Sequence, residues 1–442
     1  METVLLYILG VVVMLVGVAL SIALHEVGHL VPAKKFGVRV GQYMIGFGPT
    51  LWSKKFGETE YGLKAIPLGG YISMAGMYPP AKGETASRDA STGFLQTLMQ
   101  DARDQSAETI EPGHEDRVFY KLAIWKRIII MLGGPAMNLL IGIVLYAVVL
   151  CGFGVAQATT TVGAVSECLV PASSEVQECA ATDEPAPAAA AGILPGDRIV
   201  SVDGTAVAET TDAIDIINAS PGTPLTIVLE RDGAELTVEA TPRLTERYVT
   251  DDQGVIQTDA NGANRTEEVG ILGVTFANAI VQQPVTAVLP TVGDNIVRVS
   301  HIILNLPQRL VDVANAAFGP DERDPNGPIS VVGVGRIAGE ITSLNTIPVA
   351  DRVSSLIGLL ASLNIALFVF NLVPLLPLDG GHVAGALWEG IRRFFAKLFK
   401  RPDPGPVDIA KLLPLTIVVV LLLGAMSTLL IYADIVKPIS IL

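Results

Sequence analysis

Residues 4–29 read VLLYILGVVVMLVGVALSIALHEVGH, so an uncharged stretch of 21 residues runs directly into three ionisable side chains. About 20 such residues form a helix long enough to cross the hydrocarbon core of a bilayer. A secretory signal has a shorter apolar core of roughly 7 to 15 residues and a basic start, whereas Glu2 stands here. We therefore expect a retained membrane-spanning helix that ends in HEVGH.

The composition of the whole chain agrees with a membrane protein. The 442 residues are 50% hydrophobic and only 17% charged, whereas soluble domains carry about 25% charged residues. Three more uncharged stretches, residues 128–156, 353–378 and 412–433, are long enough to span a bilayer. The sequence predicts a polytopic α-helical membrane protein with four transmembrane helices.

The distribution of charge predicts the orientation of these helices. Residues 157–350 contain no Lys and 9 Arg against 26 Asp and Glu, while basic residues cluster at the opposite ends of the spans. The positive-inside rule then places residues 157–350 and both termini outside the cytoplasm. The net charge of −14 also excludes a nucleic-acid partner, because phosphate binding requires clustered Lys and Arg.

The segments between the spans differ in composition. Residues 38–77 are rich in Gly and β-branched residues and predict a membrane-associated β-hairpin region, whereas residues 78–116 predict a flexible polar insertion. Residues 284–317 predict amphipathic helix against the outer membrane face. The expected order is residues 1–30 first span, 31–127 hairpin region and insertion, 128–156 second span, 157–283 extracytoplasmic linker and small domain, 284–352 juxtamembrane helical segment, 353–390 third span, 391–411 basic loop, and 412–442 fourth span and tail.

The extracytoplasmic domain contains the string GILPGDRIVSVDG at residues 192–204. This string resembles the carboxylate-binding loop and following strand of a PDZ domain, a module that binds extended chain ends by adding a strand to its sheet. A generic small β domain is the alternative. Cys168 and Cys179 lie in the same segment and either form a disulfide or remain free thiols.

The chemistry is concentrated in HEVGH. On a helix, His25 and His29 at positions i and i+4 face the same way and converge on one metal ion, and Glu26 is placed to hold an attacking water. Placing ionisable side chains beside a membrane span costs free energy, so we expect such residues to be functional. The alternative, that these are surface residues just beyond the helix, explains less of the pattern.

A catalytic zinc ion takes a third protein ligand. His114 lies in the polar insertion and His301 outside, so neither reaches this end of the first span. The third stretch ends in NLVPLLPLDGGH, residues 371–382, and reaches the same membrane face because one intervening span separates the two motifs. We expect Asp379 as the third ligand, with His382 ranked second as an alternative ligand or an outer partner.

Two asparagines lie within the spans. Asn371 precedes Pro374, which frees a backbone carbonyl, so Asn371 either engages an extended substrate or packs between helices. Asn138 closes the string GGPAMN at residues 133–138, where packing and substrate contact are equally good explanations.

Together, HExxH, GGPxxN, the PDZ-like insert and NLxP…LDGGH resemble the site-2 proteases, zinc intramembrane metalloproteases of the bacterial RseP type, over all four spans. The resemblance implies that His25, His29 and Asp379 bind one zinc ion and that Glu26 is the catalytic base. It also implies substrate contacts by Asn371 and by the hairpin region. The expected substrate-binding residues are Asn371, Asn138 in the second span, and Gly46 and Gly48 in the hairpin region. The implied location is a bacterial cytoplasmic membrane, with the PDZ-like domain outside.

The implied activity is zinc-dependent cleavage of transmembrane segments of single-span membrane proteins, such as anti-sigma factors, in regulated intramembrane proteolysis. Clearance of signal peptides differs only in the substrate. A PDZ-bearing zinc-binding membrane adaptor or transporter is the alternative, although transport predicts ionisable residues along several spans. The expected partners are the lipid bilayer, single-span substrates and peptide chain ends at the PDZ-like domain.

Overall fold

The computed structural model describes residues 2–79, 94–110, 113–174, 179–180, 182–249, 256–257, 264–320, 322–324 and 327–439. They form two compact units, one of Met1–Phe153 with Gln283–Leu442 and the other of Gly154–Gln282. The helices are α1 (Glu2–Lys35), α2 (Phe94–Glu108), α3 (Ile124–Ala147), α4 (Pro187–Ala190), α5 (Thr210–Asn218), α6 (Val288–Leu304), α7 (Leu306–Phe318), α8 (Val331–Ser343), α9 (Val349–Asn371), α10 (Asp379–Leu398) and α11 (Leu413–Val436). The strands are β1 (Val40–Phe56), β2 (Thr59–Met74), β3 (Val155–Val165), β4 (Arg198–Val202), β5 (Thr205–Ala206), β6 (Leu225–Arg231), β7 (Ala234–Ala240), β8 (Arg243–Tyr248), β9 (Thr266–Ile271) and β10 (Val274–Val281).

Four helices in the described part of the chain are long and apolar enough to cross a membrane: α1, α3 with its π-helical extension to Phe153, α9, and α11 with the turn before it. Each of them overlaps one of the four predicted spans. The helices α1 and α3 are in backbone contact, since a Cβ atom on Gly28 would overlap the carbonyl of Gly133, and one on Gly133 would overlap that of Gly28. This close crossing fixes the end of α1 that carries HEVGH.

Strands β1 and β2 form the sheet expected between the first two spans. Tyr43 pairs with Ile72 on one side and with Tyr61 on the other, so the start of β1 lies inside the sheet and the last part of β2 lies at its edge. The hydroxyl of Tyr43 donates to the carbonyl of Ala23 at 2.8 Å. That bond ties the sheet to α1, two residues before His25.

The third span differs from the prediction of one segment that contains both NxxP and LDGGH. Helix α9 ends at Asn371, and a new helix, α10, begins at Asp379. Pro374 and Pro377 follow the end of α9 and cannot continue its hydrogen bonding. The backbone of residues 372–376 packs directly on Gly380 and Gly381, so the chain folds back at the start of α10.

Two segments contribute more to the first unit than the sequence suggested. Residues 78–116, predicted as a flexible insertion, contain α2, which is joined to the turn before α11 by an ion pair of 2.6 Å between Arg103 and Asp408. Helix α8 packs on α1, α9 and α11, and a Cβ atom on Gly10 would overlap the carbonyl of Ala338. The juxtamembrane segment predicted over residues 284–352 therefore contributes a helix to the bundle of the first unit.

The second unit is built on a sheet with strand order β10-β3-β4-β6-β7, to which β5 adds beside β4, while β8 and β9 form a separate pair. Buried aliphatic residues of these strands and α5 form its core. Cys168 and Cys179 are joined in a disulfide, which resolves the two alternatives. The Asp197 carboxylate, 1% exposed, accepts hydrogen bonds from the Arg231 guanidinium and the Leu194 amide.

Candidate metal centre

The predicted ligands converge at one point. The Nε2 atoms of His25 and His29 lie 3.1 Å apart, and each lies 3.3 Å from Oδ2 of Asp379. The three residues are the one His, Cys, Asp or Glu cluster among the described residues whose ligand atoms are close enough to hold a metal ion. Helix α1 supplies two of these candidate ligands through its i, i+4 spacing, and the first residue of α10 supplies the third.

The donor set and its dimensions fit zinc. At metal–ligand distances of 2.0 to 2.2 Å, two ligands of a tetrahedral ion lie about 3.3 to 3.6 Å apart. The observed separations of 3.1 Å and 3.3 Å are close to the short end of this range, and Oδ2 of Asp379 is buried without any other hydrogen-bond partner. Two imidazoles and one carboxylate are also the ligands found at catalytic zinc sites with an open fourth position.

A backbone carbonyl of α3 orients the ring of His29. Its Nδ1 lies 2.7 Å from the carbonyl oxygen of Ile130 on α3, so Nδ1–H donates to that oxygen and leaves Nε2 unprotonated. His29 is buried, and the Ile130 carbonyl fixes its tautomer. The second helix therefore helps to prepare a ligand on the first.

Asn138 holds the other imidazole. Its side-chain amide lies 3.1 Å from Nδ1 of His25, and Asn138 is 1% exposed. The nitrogen of the amide faces the ring, while its oxygen is buried without a partner. When Nε2 of His25 binds metal, Nδ1 carries the proton, and a 180° rotation of the amide lets the orphaned oxygen accept it.

Gly134 forms the wall behind the two histidines. A Cβ atom at this position would overlap Nε2 of His29 and approach Nε2 of His25 to 2.6 Å. Both rings occupy the space that any larger residue would need. The Gly-Gly-Pro string therefore has two functions, with Gly133 allowing the helix crossing and Gly134 making room for the ligands.

Glu26 lies beside the cluster and next to the β-sheet. Its carboxylate interacts electrostatically with His25, His29 and Asp379. A Cβ atom built on Gly70 in β2 would come within 3.0 Å of Cγ of Glu26. The predicted base is therefore in contact with the edge segment of the sheet.

A buried ion pair holds the helix that carries Asp379. Arg127 at the start of α3 lies 2.7 Å from Glu389 in the middle of α10, and both side chains are almost fully buried. Glu389 also accepts from the amide of Val407 and pairs with Arg393 at 3.0 Å. Since charges buried in this way are stable only when paired, the contact fixes α10 against α3.

The remaining predicted residues are not among the converging ligand atoms. His382 is on the first turn of α10, and it is outside the set of converging ligand atoms. Asn371 is the last residue of α9. Gly46 and Gly48 lie in β1 at positive φ, where the strand bends opposite Ile66. Glycine adopts this backbone conformation without strain, so both residues have a role in the shape of the strand.

Three features of the centre were missed by sequence reasoning: the space left by Gly134, the Ile130 carbonyl and the Arg127–Glu389 pair. The first had a signal, because two adjacent glycines within a span often mark a close helix contact. The Ile130 carbonyl belongs to the backbone, and Arg127 and Glu389 are 262 positions apart in the chain. Neither contact therefore leaves a local pattern in the sequence.

The chain is similar to known proteins over most of its length. The model of peptidase family M50 matches residues 13–401. The chain is similar to "Zinc metalloprotease Rip1" of Mycobacterium tuberculosis, with 34% identity over 99% of both chains, and to the protein of the same name in Mycolicibacterium smegmatis, with 34% identity over 98% of both chains. It is also similar to "Metalloprotease MmpA" of Caulobacter vibrioides, with 27% identity over 87% of this chain and 88% of the relative. The histidines of the HExxH helix converge with a carboxylate, and four helices in the described part of the chain are long enough to span a membrane. This chain belongs to peptidase family M50.

Proposed function

We propose that this protein is a zinc-dependent intramembrane endopeptidase in which His25, His29 and Asp379 hold the metal ion and Glu26 is the catalytic base. The observation that carries the proposal is the convergence of the three ligand atoms beside Glu26. The family match and the zinc metalloproteases among its relatives support the same activity. The adaptor and transporter alternative has no such support.

The chain's own residues account for the proton transfer. A zinc ion at this site would lower the pKa of a water molecule towards about 7 and polarise the carbonyl of the scissile bond. The Glu26 carboxylate accepts the proton of the attacking water and returns it to the amine that leaves. Asn138 and the Ile130 carbonyl keep the two imidazoles in the tautomer that the metal requires.

The sheet offers a way to present the substrate. A transmembrane helix protects its peptide bonds by internal hydrogen bonding, so it must be unwound before cleavage. The edge segment of β2 touches Glu26 at Gly70 and pairs with no further strand in the described part of the chain. An unwound substrate strand added to this edge would lie beside the base. We assign Gly46 and Gly48 to the bend that shapes this sheet.

Asn371 remains a substrate-binding proposal. It lies where α9 ends, and the non-helical residues 372–378 connect it to Asp379. An amide at this position is suited to hydrogen bonding with an extended substrate backbone. We place Asn138 instead among the residues that orient His25, because its contact with that ring is direct.

We further propose that the unit Gly154–Gln282 is PDZ-like and binds extended peptide ends. The string at residues 192–204 spans a turn, β4 and the first two residues after it, and its Asp197 is anchored by Arg231. The proposed topology puts this unit and both termini outside the cytoplasm of a bacterial cell, as the charge distribution favours. The proposed substrates are single-span membrane proteins such as anti-sigma factors.

Replacement of the base tests the activity. We would express Glu26→Gln and wild type with a tagged single-span anti-sigma factor trimmed to its transmembrane and cytoplasmic segments. Wild type is expected to release the cytoplasmic fragment. Glu26→Gln is expected to bind zinc normally and to reduce cleavage by at least about 100-fold, as loss of a general base does. Glu235→Gln, the same change on the exposed strand β7, is the control and should cleave normally. Undiminished cleavage by Glu26→Gln would contradict the mechanism.

A further inference from the structure

Helix α10 has an apolar face without a protein partner in the described part of the chain. Its large apolar side chains recur at helical spacing and are between 47% and 63% exposed. They are Leu387, Trp388, Ile391, Phe394, Phe395 and Leu398. We call this set the α10 apolar face.

The opposite side of α10 packs into the protein. Glu389 is buried in its contacts with Arg127 and Arg393, and a Cβ atom on Gly385 would touch Ile409. The orientation of the helix is therefore fixed, and the α10 apolar face points away from the rest of the first unit. Water contact with six large apolar side chains is unfavourable, so this face needs a covering surface.

The charges that border the face indicate which surface covers it. Arg392 and Lys397 lie on opposite borders of the α10 apolar face at 100° per residue, and Lys400 and Arg401 follow at its end. None of these four forms an ion pair with a described residue, whereas Arg393, on the packed side, pairs with Glu389 and Asp403. A helix with one apolar face flanked by free basic residues is suited to the surface of an anionic membrane.

We propose that α10 is an interfacial helix whose apolar face enters the boundary between headgroups and acyl chains, and that Arg392, Lys397, Lys400 and Arg401 bind anionic phospholipid headgroups. A second copy of the chain fits less well, because pairing two α10 apolar faces would bring eight uncompensated positive charges together. The proposal does not depend on the zinc chemistry. It assigns a lipid-binding role to the helix that also supplies Asp379.

The native Trp388 lies within the face and serves as the probe. The full chain with Trp52→Phe and Trp125→Phe retains Trp388 as its single Trp, since Trp52, Trp125 and Trp388 are its three Trp residues. This protein would be placed in phosphatidylcholine nanodiscs that contain equal amounts of phosphatidylglycerol, with bromine on the acyl chains of one lipid or the other. We expect quenching of Trp388 fluorescence by both lipids and stronger quenching by brominated phosphatidylglycerol.

Charge variants separate the two parts of the proposal. Arg392→Gln with Lys397→Gln should retain quenching but lose most of the preference for phosphatidylglycerol, since each basic residue enriches anionic lipid roughly fivefold. Arg243→Gln with Arg247→Gln removes the same charge from β8 and should keep the preference. Lipid that copurifies with the otherwise unaltered protein gives a second measurement, and phosphatidylglycerol should be depleted only in the first variant.

Two outcomes would overturn the proposal. Absence of quenching by either lipid would mean that protein covers the face, for example in a dimer. Equal quenching by the two brominated lipids, with no enrichment of phosphatidylglycerol in the copurified lipid, would mean an apolar contact without headgroup recognition.

Discussion

Glycine serves two different purposes in the two units of this molecule. In the second unit, Gly204 follows Asp203 in a two-residue turn between β4 and β5, both at positive φ, and nothing lies within 4 Å of its missing Cβ. At the metal centre, Gly134 lies inside α3, and the space of its Cβ is filled by the imidazoles of His25 and His29. The first glycine meets a conformational requirement and the second a spatial one, so the same added methyl group should have very different effects.

Gly134→Ala should have the largest effect. The added methyl overlaps both ligand nitrogens, so the rings must rotate out of the positions from which they face Asp379. Because the ligands themselves are displaced, zinc affinity is expected to fall by more than about 100-fold. Loss of a residue that only orients a ligand lowers the affinity by less than this. Zinc per chain by mass spectrometry is the measurement.

Gly358→Ala in α9 is the matched control, because the same substitution there meets nothing within 4 Å. It should bind zinc as wild type does. Normal zinc content in correctly folded Gly134→Ala protein would show that zinc binding does not require the space that Gly134 leaves for the two histidines.

Asn138→Ala should have the next largest effect. Without an acceptor for Nδ1–H, His25 loses its orientation, and zinc affinity is expected to fall by about 10- to 100-fold. Competition with a zinc chelator measures the change. Asn138→Asp supplies an acceptor and should recover most of the affinity, a rescue that a substrate-binding role does not predict. Asn364→Ala removes an equally buried asparagine that bonds to Ser21 and should leave zinc affinity unchanged.

The second unit should respond to acid through Asp197. Hydrogen bonds from Arg231 hold the pKa of Asp197 below its usual value. A lowered carboxyl pKa stabilises the fold above pH of about 4, and this stabilisation is lost as the pH falls through the folded-state value. Asp197→Asn should therefore cost about 2 kcal/mol at pH 7 and less near pH 3. Hydrogen exchange of β4 and β6 in the full chain measures this, and an equal cost at both pH values would contradict it.

Gly204→Ala should have the smallest effect. Its cost is the strain of a side chain at positive φ, about 1 kcal/mol, without any steric overlap. Hydrogen exchange at β4 and β5 should detect the change, while zinc content stays at the wild-type level. Loss of zinc in this variant would remove the distinction between the two kinds of glycine.

The sequence predicted what depends on local pattern. Apolar length identified the four helices, and the i, i+4 spacing of His25 and His29 together with the parity of the spans led to Asp379. It did not predict the break between Asn371 and Asp379, because apolar composition continued through two prolines. It also left open the pairing of Cys168 with Cys179 and missed α8 as a member of the helix bundle.

The unpredicted features depend on contacts between distant segments. Whether Gly134 faces solvent, lipid or a ligand is decided by how α3 crosses α1, and that crossing requires Gly28, 106 positions earlier. The role of Asn138 likewise depends on the rotation of α3 that places its amide at His25. A motif gives residue types and spacing along one helix, but not the rotation of a neighbouring helix.

Metal analysis of the purified full-length chain tests whether residues from α1 and α10 form one zinc site. We predict one zinc ion per wild-type chain, and less than about a tenth of that in Asp379→Ala after dialysis, because a site that loses its carboxylate retains only two imidazoles. Glu26→Gln should keep the full amount. A wild-type chain without zinc, or an Asp379→Ala chain that retains one zinc ion, would contradict the assignment of His25, His29 and Asp379 as its ligands.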